Sequence, residues 1–347
     1  MVRRDGGRLS AREVCGFVRE FYSLDAAEAE PVARATNEVW QVRGIFGSFA
    51  FKRFPPSARS AALREPGLTA HLRSMGIPTA IFTTANDGSF VIDAQGQPAH
   101  LQTYVDGVTV KQNRAPPWLL PASAEMLGRI CTALAGVRGL PDGFPAKWFA
   151  FDTRRKTLEY DALIIAASRN RRLTAAQRRE VTDDLVFKRS AVAEIANIKL
   201  SARMFTRGAT HGDYSVRQVL LNGQQIAAVV DWSSACRQPY VWDVLRSYSY
   251  ADPACADGHL DIDGARRYVG TFMNFVALTR RDLVAAADLY YAQALRSTYG
   301  YRQILLEGAN SPELLRFAHW RTRLCRWLQK HRGDVSDALR ELAPARS

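Results

Sequence analysis

The alternation of apolar and polar positions divides the chain into a strand-rich first part and a helical second part. Residues 10–30 repeat apolar positions at helical spacing, with Ser10 as the N-cap and Glu13 three residues later. The stretch "NEVWQVRGIFGSFAFKRF" predicts two strands joined by a turn at Gly44–Gly47. A helix is predicted in "SARSAALREPGLTAHLRSMG", followed by short strands in "TAIFTT", "SFVIDA" and "AHLQTYV". Residues 30–105 therefore predict a small sheet that carries one helix.

After this sheet the pattern becomes mainly helical, with one strand-like break at residues 206–232. The stretch 107–118 has no clear period and is interpreted as the boundary. These patterns predict an α+β chain with two domains, 1–106 and 107–330, and a frayed tail at 331–347. Helices of the second domain are predicted over residues 121–138, 153–168, 174–198, 263–280, 281–300 and 311–330.

The composition is that of a globular protein with an excess of positive charge. Hydrophobic residues make up 47% of the 347 positions, and 47 basic against 34 acidic residues give a formal net charge of +13. That charge raises the hypothesis of a nucleic-acid-binding protein. However, seven of the basic residues are Lys and the other 40 are Arg, as in proteins from GC-rich genomes, and the charge is interleaved with acids. Solvated helix surfaces are the favoured interpretation, and a basic rim around an anionic substrate stays open.

Apolar stretches and cysteines argue against two other classes of protein. No stretch reaches the length of a membrane helix, and the polar, Arg-rich start lacks the apolar core of a signal peptide. We therefore expect a cytoplasmic protein without membrane association. The five cysteines are scattered without a Cys-x-x-Cys pair, which predicts buried, reduced thiols rather than disulfides or a zinc site.

Two carboxylates flank a short apolar hairpin in the segment "THGDYSVRQVLLNGQQIAAVVDWSSA". Asp213 lies on a loop before the first strand, and Asp231 ends the apolar run of the second. Phosphoryl transfer needs a carboxylate that accepts the hydroxyl proton, oxygen ligands for Mg²⁺ and a cation on the phosphates. Asp213 suits the first task, and Asp231 with residue 218 suits the second. The order of strand-rich domain, linker and helical domain adds to this prediction of a nucleotide-dependent phosphotransferase.

The same segment resembles the catalytic signature of the aminoglycoside phosphotransferase and choline kinase-like superfamily. The family pattern is H-G-D-x-x-x-x-N, a hydrophobic strand, a turn and I-D-[FW], to which "HGDYSVRQVLL" and "AAVVDW" are similar. "TNEVWQVRGIFGSFAFKRF" is similar to the family's N-terminal sheet, "AHLQTYVDG" to its hinge, and "YVWDVLRS" to a later helix with a structural Asp243. The resemblance implies a bilobal protein-kinase-like fold. A small β-rich N-terminal lobe would bind nucleotide, and a larger, mainly helical C-terminal lobe would bind the acceptor.

The resemblance also implies roles for individual residues. Asp213 would be the catalytic base, His211 would brace the catalytic loop, and Asp231 would bind Mg²⁺. Lys52 would hold the α- and β-phosphates. It is the only Lys in the first 110 residues, which suits a retained phosphate contact, and a solvated lysine on an edge strand is the weaker alternative.

The sequence departs from the family pattern in three places. Gln218 stands where Asn is usual, and we expect its longer side chain to act as a variant metal ligand. Glu65 is the candidate partner of Lys52, but Pro66 follows it and disfavours helical geometry there, so Glu65 is expected at a helix start. An N-terminal acid favoured only by the helix dipole is an equal alternative. A Gly-rich phosphate loop is missing, and the turn at Ala35–Trp40 would have to cover the phosphates.

Four further positions complete the predicted site. The hinge backbone at Gln102 and Tyr104 is implied to contact the nucleotide base. Ser215 and Arg217 lie in the catalytic loop, within reach of the γ-phosphate or the acceptor, although a salt bridge from loop to helix explains Arg217 equally well.

The remaining histidines have no metal-ligand spacing and are interpreted as surface or packing residues: His71, His100, His259, His319 and His331.

Together these observations predict a small-molecule kinase that transfers the γ-phosphoryl group of ATP or GTP, with Mg²⁺, to a hydroxyl of a small acceptor. Because the chain is basic and has no acidic cluster near its C-terminus, a neutral or anionic acceptor is favoured over a polycationic aminoglycoside. A sugar, an amino alcohol and an antibiotic phosphorylated for resistance are all compatible, in a monomer or a homodimer. The alternatives are a pseudokinase that acts as a nucleotide-binding scaffold, motivated by Gln218 and Pro66, and a basic nucleic-acid-binding protein.

Overall fold

The computed structural model describes residues 8–34 and 37–344, without the side chains of residues 33 and 34. Its helices are α1 (Ala11–Tyr22), α2 (Arg59–Ser74), α3 (Leu119–Ala133), α4 (Ala146–Phe149), α5 (Thr153–Arg169), α6 (Ala175–Asn197), α7 (Tyr240–Ala251), α8 (Ile262–Met273), α9 (Arg280–Arg296), α10 (Tyr301–Leu305) and α11 (Pro312–Arg340). Its strands are β1 (Glu28–Arg34), β2 (Glu38–Gly44), β3 (Gly47–Arg53), β4 (Phe82–Thr83), β5 (Ile92–Asp93), β6 (Pro98–Thr103), β7 (Val108–Thr109), β8 (Arg207–Thr210), β9 (Val219–Asn222), β10 (Gln225–Val229) and β11 (Cys236–Pro239). The protein is therefore mixed α+β, with an antiparallel sheet followed by a helical region, as predicted.

The sheet of the first unit contains β1 to β6 in the order β1-β2-β3-β6-β4, with β5 paired to β6. Alternation in β2 and β3 directs Phe51 and its neighbours into an apolar cluster that the buried face of α1 completes. Helix α1 begins with the predicted capping box between Ser10 and Glu13, but it ends at Tyr22, and the last residues of the predicted helix belong to β1. The register of β3 with β6 sets Lys52 opposite a histidine, His100.

Helix α2 differs from the prediction around Glu65. The helix begins at Arg59, so Glu65 lies inside it rather than at its start. Pro66 removes one helical hydrogen bond, which costs roughly 3 kcal/mol in an isolated helix interior. The helix continues because the Glu65 side chain is held by buried partners described below, and because Thr69 Oγ1 donates to the carbonyl oxygens of Glu65 and Pro66. Tertiary contacts here override the extended preference of a residue before proline.

The first unit is discontinuous in sequence, since it combines the residues up to Val110 with Arg217–Ala235. Strands β9 and β10 form a hairpin, and β9 also pairs with β7. The Val229 N–H donates to the carbonyl of Pro78 at 2.9 Å. These hydrogen bonds join the hairpin to the strand-rich unit, whereas the predicted division assigned residues 107–330 to one helical domain. The pairing partners are distant in sequence, so the local pattern does not indicate them.

The second unit comprises Lys111–Val216 and Cys236–Ser347 and is mainly helical. Strands β8 and β11 form a two-stranded antiparallel ribbon. Helix α9 packs against α7 and α11, and buried residues of α5, α6, α10 and α11 share one apolar cluster. Within the described ranges, no helix has both the length and the apolar character that a membrane span requires.

The C-terminal segment corrects one prediction. Residues 331–347 were expected to form a frayed tail, but α11 continues to Arg340. Val335 and Leu339 lie four residues apart on one helix face, and both are buried. Their burial explains why the helix does not end earlier.

Candidate active site

Lys52 is the centre of a buried charged cluster in the first unit. It lies on β3 and is 3% exposed. Its Nζ donates to both carboxylate oxygens of Glu65 at 3.0 Å and to Oδ1 of Asp231 at 2.8 Å. Burial by itself lowers the pKa of Lys52, but the two carboxylates outweigh burial and hold the pKa above its ordinary value. Lys52 is therefore charged at neutral pH and held by anions from two different segments.

Glu65 connects Lys52 to β6 and to the segment after β10. Besides Lys52, its carboxylate accepts from the backbone N–H of Trp232 at 2.9 Å, and its Oε2 lies 3.2 Å from Nε2 of His100. Burial opposes ionisation of Glu65, but Lys52 and His100 lower its pKa to about 2. Glu65 is thus a fully ionised carboxylate that fixes the position of Lys52.

Asp231 has an unusual backbone conformation directly after β10. Its φ of 64° and ψ of 61° lie in the left-handed region, which most residues other than glycine avoid. Its Oδ1 also accepts from Ser233 Oγ at 2.7 Å, and the side chain is 42% exposed. Burial raises the pKa of Asp231, but the Lys52 ammonium outweighs burial and holds the pKa below its ordinary value. A strained, ionised and accessible carboxylate is a frequent feature of functional sites.

His100 was expected to be a surface or packing residue, but the structure places it in this cluster. The ring is fully buried on β6, and its centroid lies 4.9 Å from the ring of Phe54 and 4.6 Å from that of Phe82. Burial lowers the pKa of His100 despite the opposing effect of Glu65, so the ring is neutral at pH 7. A neutral ring with its proton on Nε2 donates to Glu65. That tautomer also suits Nδ1, which has no hydrogen-bond partner among the described residues.

The loop that carries Asp213 belongs to the second unit. His211 is fully buried, and its Nδ1 accepts from the backbone N–H of Asp213 at 3.3 Å. Gly212, between them, has a φ of 81°, which favours glycine, and its N–H donates to Thr210 Oγ1 at 3.0 Å. This turn fixes the backbone of Asp213 and leaves its side chain 41% exposed.

Arg246, on α7, forms an ion pair with Asp213 that the sequence analysis did not predict. Its Nη2 donates to Oδ1 of Asp213, and its Nη1 donates to the carbonyl of Tyr214 at 3.2 Å. The guanidinium also lies over the ring of Tyr250, 4.6 Å from the ring centroid. Burial opposes the charge, but Asp213 outweighs burial and raises the pKa of Arg246. As one of 40 arginines, Arg246 gave no signal of its own in the sequence.

The remaining predicted residues of the catalytic segment lie close to these clusters in sequence. The carbonyl of Gln218 accepts from the N–H of Val230 at 2.9 Å, so Gln218 is anchored next to the residue that precedes Asp231. Ser215 is buried and Arg217 is exposed. The metal role of Gln218 and the substrate contacts of Ser215 and Arg217 stay predictions.

The segment predicted to contact the nucleotide base follows β6. Gln102 is partly buried, and the N–H of Tyr104 donates to the carbonyl of Ser48 at 3.1 Å. That donor is engaged in the sheet, so contacts to a base would use other backbone groups of this segment. Of the phosphate-covering turn predicted at Ala35–Trp40, residues 35 and 36 lie outside the described residues, and residues 38–40 begin β2.

Comparison with protein families gives a match that spans both clusters. The model of the phosphotransferase enzyme family matches residues 28–273, a range that includes Lys52, Asp213 and Asp231. The chain belongs to the phosphotransferase enzyme family. A search of curated proteins finds no match to this phosphotransferase.

Solved structures similar to this phosphotransferase cover nearly the whole chain. An amicoumacin kinase in complex with AMP-PNP, Ca²⁺ and Ami is 14% identical with a TM-score of 0.62, covering 100% of this chain and 98% of that one. A spectinomycin phosphotransferase in complex with ADP and spectinomycin is 12% identical with a TM-score of 0.54, covering 96% and 99%. The Plasmodium vivax ethanolamine kinase is 12% identical with a TM-score of 0.54, covering 92% and 84%. These similarities confirm the predicted kinase-like fold.

The phosphotransferase has oxygen donors that suit Mg²⁺. Asp231 offers an ionised, accessible carboxylate, and Gln218, in the same unit, carries an amide oxygen. Proteins usually bind Mg²⁺ through one or two carboxylates, and substrate phosphates and water supply the other oxygens. In the part of the chain that the structure describes, no group of three or more His, Cys, Asp or Glu side chains could hold a metal ion. One carboxylate and one amide oxygen fit a metal ion that takes its remaining oxygen ligands from phosphates and water.

Proposed function

We propose that this phosphotransferase is a small-molecule kinase that transfers the γ-phosphoryl group of ATP or GTP to a hydroxyl of a small acceptor. The buried contact of Lys52 with Glu65 and Asp231 is the observation that supports the proposal most directly. Buried ion pairs add little net stability, because desolvation offsets their attraction. A lysine fixed in this way is instead well suited to bind the phosphates of a nucleotide.

In the proposed reaction the acceptor oxygen forms a bond to the γ-phosphorus while the bond to the β–γ bridging oxygen breaks. ADP or GDP leaves with the bonding electrons, and the hydroxyl proton passes to the carboxylate of Asp213. Arg246 holds that carboxylate in place, and His211 holds the backbone N–H of Asp213. Because the Arg246 ion pair fixes the orientation of the Asp213 carboxylate, that carboxylate can orient the acceptor hydroxyl as well as accept its proton.

The nucleotide is bound by residues of the first unit in this proposal. Lys52 contacts the α- and β-phosphates, and Glu65 keeps its ammonium in position. Asp231 and Gln218 would hold Mg²⁺, which neutralises phosphate charge when bound. A Gln in place of the usual Asn is treated as a working variant of that ligand.

The acceptor is proposed to be a small hydroxyl compound. The structural neighbours include kinases named for amicoumacin, spectinomycin and ethanolamine. The proposal therefore includes both antibiotics and amino alcohols as acceptors. The net charge of +13 favours a neutral or anionic acceptor. A cytoplasmic location and a monomeric or homodimeric state stay predictions from the sequence.

Calorimetric binding of ATP and GTP, with and without Mg²⁺, tests the nucleotide site. We expect metal-dependent binding by the wild type that Asp231→Asn loses at least tenfold. Asp87→Asn, at an exposed carboxylate of the same unit, is the matched control and should bind as the wild type does. If neither nucleotide binds, the proposal is wrong.

Turnover separates the kinase from the pseudokinase alternative. Acceptor-dependent release of ADP or GDP should fall by at least 100-fold in Asp213→Asn, on the order expected for loss of a positioned proton acceptor. Nucleotide binding by that variant should remain. Tight nucleotide binding without release for any class of hydroxyl compound would favour a scaffold.

A further inference from the structure

Four cationic side chains of the second unit meet at the C-terminal end of α9. Lys188 donates to the carbonyl of Ser297 at 2.9 Å, and Lys156 donates to the carbonyl of Arg296 at 3.0 Å. Arg296 is itself the last residue of the helix, and Arg321, on α11, donates to Ser297 Oγ. We call these four residues, Lys156, Lys188, Arg296 and Arg321, the cation cluster.

Positive charge in the cation cluster exceeds the negative charge bonded to it. Among the described residues, one carboxylate forms an ion pair with the cluster. It belongs to Glu159, which accepts from Lys156 at 2.6 Å. Four cations and one carboxylate leave three positive charges, and the end of α9 offers only about half a negative charge. The two lysines are explained by the helix carbonyls that they satisfy. In the part of the chain that the structure describes, the two arginines donate to neutral groups only, namely the carbonyl of Trp148 and the hydroxyls of Ser297 and Tyr250.

The guanidinium of Arg296 lies against two aromatic rings. Its guanidinium lies 4.0 Å from the ring centroid of Trp148 and 4.2 Å from that of Phe151, and its Nη1 donates to the carbonyl of Trp148. Its Nε is buried and has no hydrogen-bond partner among the described residues. Burial lowers its pKa to about 10, so the side chain is charged at neutral pH. The Nε of Arg296 is thus a buried donor on a rigid cation that the described residues leave unsatisfied.

Arg321 is a second rigid cation, and contacts through Tyr250 and Arg246 connect it to Asp213. Its Nη2 donates to Tyr250 Oη at 2.7 Å, and its guanidinium lies 4.6 Å from the ring centroid of Phe317. The ring of Tyr250 stacks in turn under Arg246, which pairs with Asp213. One tyrosine therefore separates the cation cluster from the arginine that orients the proposed base.

We propose that the cation cluster is an acceptor subsite that binds an anionic group, a carboxylate or a phosphate, of the molecule to be phosphorylated. The proposal rests on the proposed function, which places the acceptor hydroxyl at Asp213. The planar forks of Arg296 and Arg321 match the oxygens of such a group, and their stacked rings hold the forks in place. The ring of Tyr299, 48% exposed beside Phe317, offers an apolar surface for the carbon skeleton. A polycationic acceptor would meet three uncompensated positive charges.

Binding of simple anions tests the subsite without turnover. Inorganic phosphate and acetate are titrated into the full-length, nucleotide-free protein by calorimetry at fixed ionic strength. We expect saturable binding of at least one anion, weakened at least tenfold in Arg321→Gln. Arg316→Gln, at an exposed arginine of the same helix, is the matched control and should bind as the wild type does. Absence of binding by the wild type, or equal affinity in Arg321→Gln, would overturn the proposal.

A second variant guards against misfolding. If Arg321→Gln lacks a cooperative thermal transition, Arg321→Lys keeps the charge but loses the planar fork, and it should weaken binding of the same anion several-fold. Unchanged affinity in a folded Arg321→Lys would also count against the subsite.

Three acceptors with related hydroxyl groups separate this proposal from the proposed function. Glycerol is neutral, glycerate carries a carboxylate and glycerol 3-phosphate carries a phosphate. We expect one of the two anions to have a KM at least tenfold below that of glycerol, and Arg321→Gln to remove the difference. Turnover of neutral or cationic acceptors only would overturn the subsite and leave the kinase intact. Anion binding without any nucleotide binding would overturn the kinase and leave the anion site.

Discussion

Lys52 carries a charge whose burial is unfavourable in free energy, and its position is fixed by specific partners. It is buried beside the buried carboxylate of Glu65 and the partly exposed carboxylate of Asp231, and both favour its charged form. Removing one partner of such a buried pair leaves an uncompensated charge, which typically costs about 3–5 kcal/mol. Position, rather than stability, is therefore what the cluster provides.

Replacing Glu65 should make this cost measurable. In Glu65→Gln the free energy of unfolding should fall by about 3 kcal/mol at neutral pH, because Lys52 loses a buried anion. The pKa of Glu65 is lowered from 4.5 to about 2, so its contribution is complete above pH 4.5 and is lost as the pH falls towards 2. Urea unfolding across this range should therefore have a smaller acid slope in the variant. Glu20→Gln, at an exposed carboxylate of α1, should retain the wild-type slope.

His100 should act through Glu65 rather than on the substrate. His100→Phe keeps an aromatic ring between Phe54 and Phe82 but removes the donor to Glu65. We expect kcat to fall about tenfold, with a smaller change in the KM for the acceptor. His100→Gln, which can still donate, should recover part of kcat. Equal kcat in both variants would mean that His100 only packs.

The sequence indicated most of the charged residues of these clusters, but not Arg246 and not all of the contacts that join them. Lys52 stands out because Lys is rare in this chain. The two acids, Asp213 and Asp231, stand out because they flank a recognisable hairpin. His100 meets Lys52 only through the register of β3 with β6, and Arg246 meets Asp213 only after α7 packs. Such contacts depend on tertiary pairing, which a local pattern does not encode.

At the scale of elements, the C-terminal end of α9 is closed by side chains from other helices. Lys188 Nζ donates to the carbonyls of Ala294 and Ser297, and Tyr160 Oη donates to the carbonyl of Leu295. A helix end normally leaves its last four carbonyls to water or a cap. Here α5 and α6 supply the donors, so their packing and the end of α9 are formed together.

Lys188 should make the stability of the protein depend on pH. Burial is the main cause that lowers its pKa from 10.5 to about 8. The unfolded chain then binds the proton more tightly, so stability rises as the pH increases from about 8 towards 10.5. Thermal unfolding of Lys188→Met should lack this rise. Lys330→Met, at an exposed position on α11, should retain it, and identical slopes in all three proteins would contradict the assignment.

Helix and strand positions followed the sequence pattern best where the pattern was long. Helices α5, α6 and α9 lie within or close to their predicted ranges, because their apolar spacing extends over several turns. Two errors occurred where tertiary contacts decide, at Pro66 inside α2 and at the extension of α11 to Arg340. Both segments are held by buried side chains that the local sequence does not identify.

At the scale of the whole molecule, the first unit is assembled from two separated segments. Residues up to Val110 supply Lys52 and Glu65, and Arg217–Ala235 supplies the carboxylate and the backbone N–H that bind them. The chain must therefore return from the second unit before the charged cluster is complete. Folding of the first unit depends on contacts that are distant in sequence.

A fragment experiment tests this dependence. Residues 1–110 alone should lack a cooperative thermal transition, since β7 loses its partner β9 and Lys52 loses one of its two anions. Adding a peptide of residues 217–235 should restore cooperativity measured by circular dichroism. A peptide with the same composition in scrambled order is the control. A cooperative transition of the fragment alone, unchanged by the peptide, would contradict the prediction.

The left-handed backbone of Asp231 has a consequence for mutational tolerance. Strain of this kind costs roughly 1–3 kcal/mol in residues with a large side chain, while Gly and Asn accept it readily. In a library of all substitutions at position 231, cellular abundance should therefore be highest for Asp, Asn and Gly and lowest for β-branched residues. Phosphoryl transfer should survive in Asp alone. Abundance and activity would then differ at Asn and Gly, which fit the backbone but lack the carboxylate, and this identifies a position where chemistry selects one residue among the few that the backbone accepts.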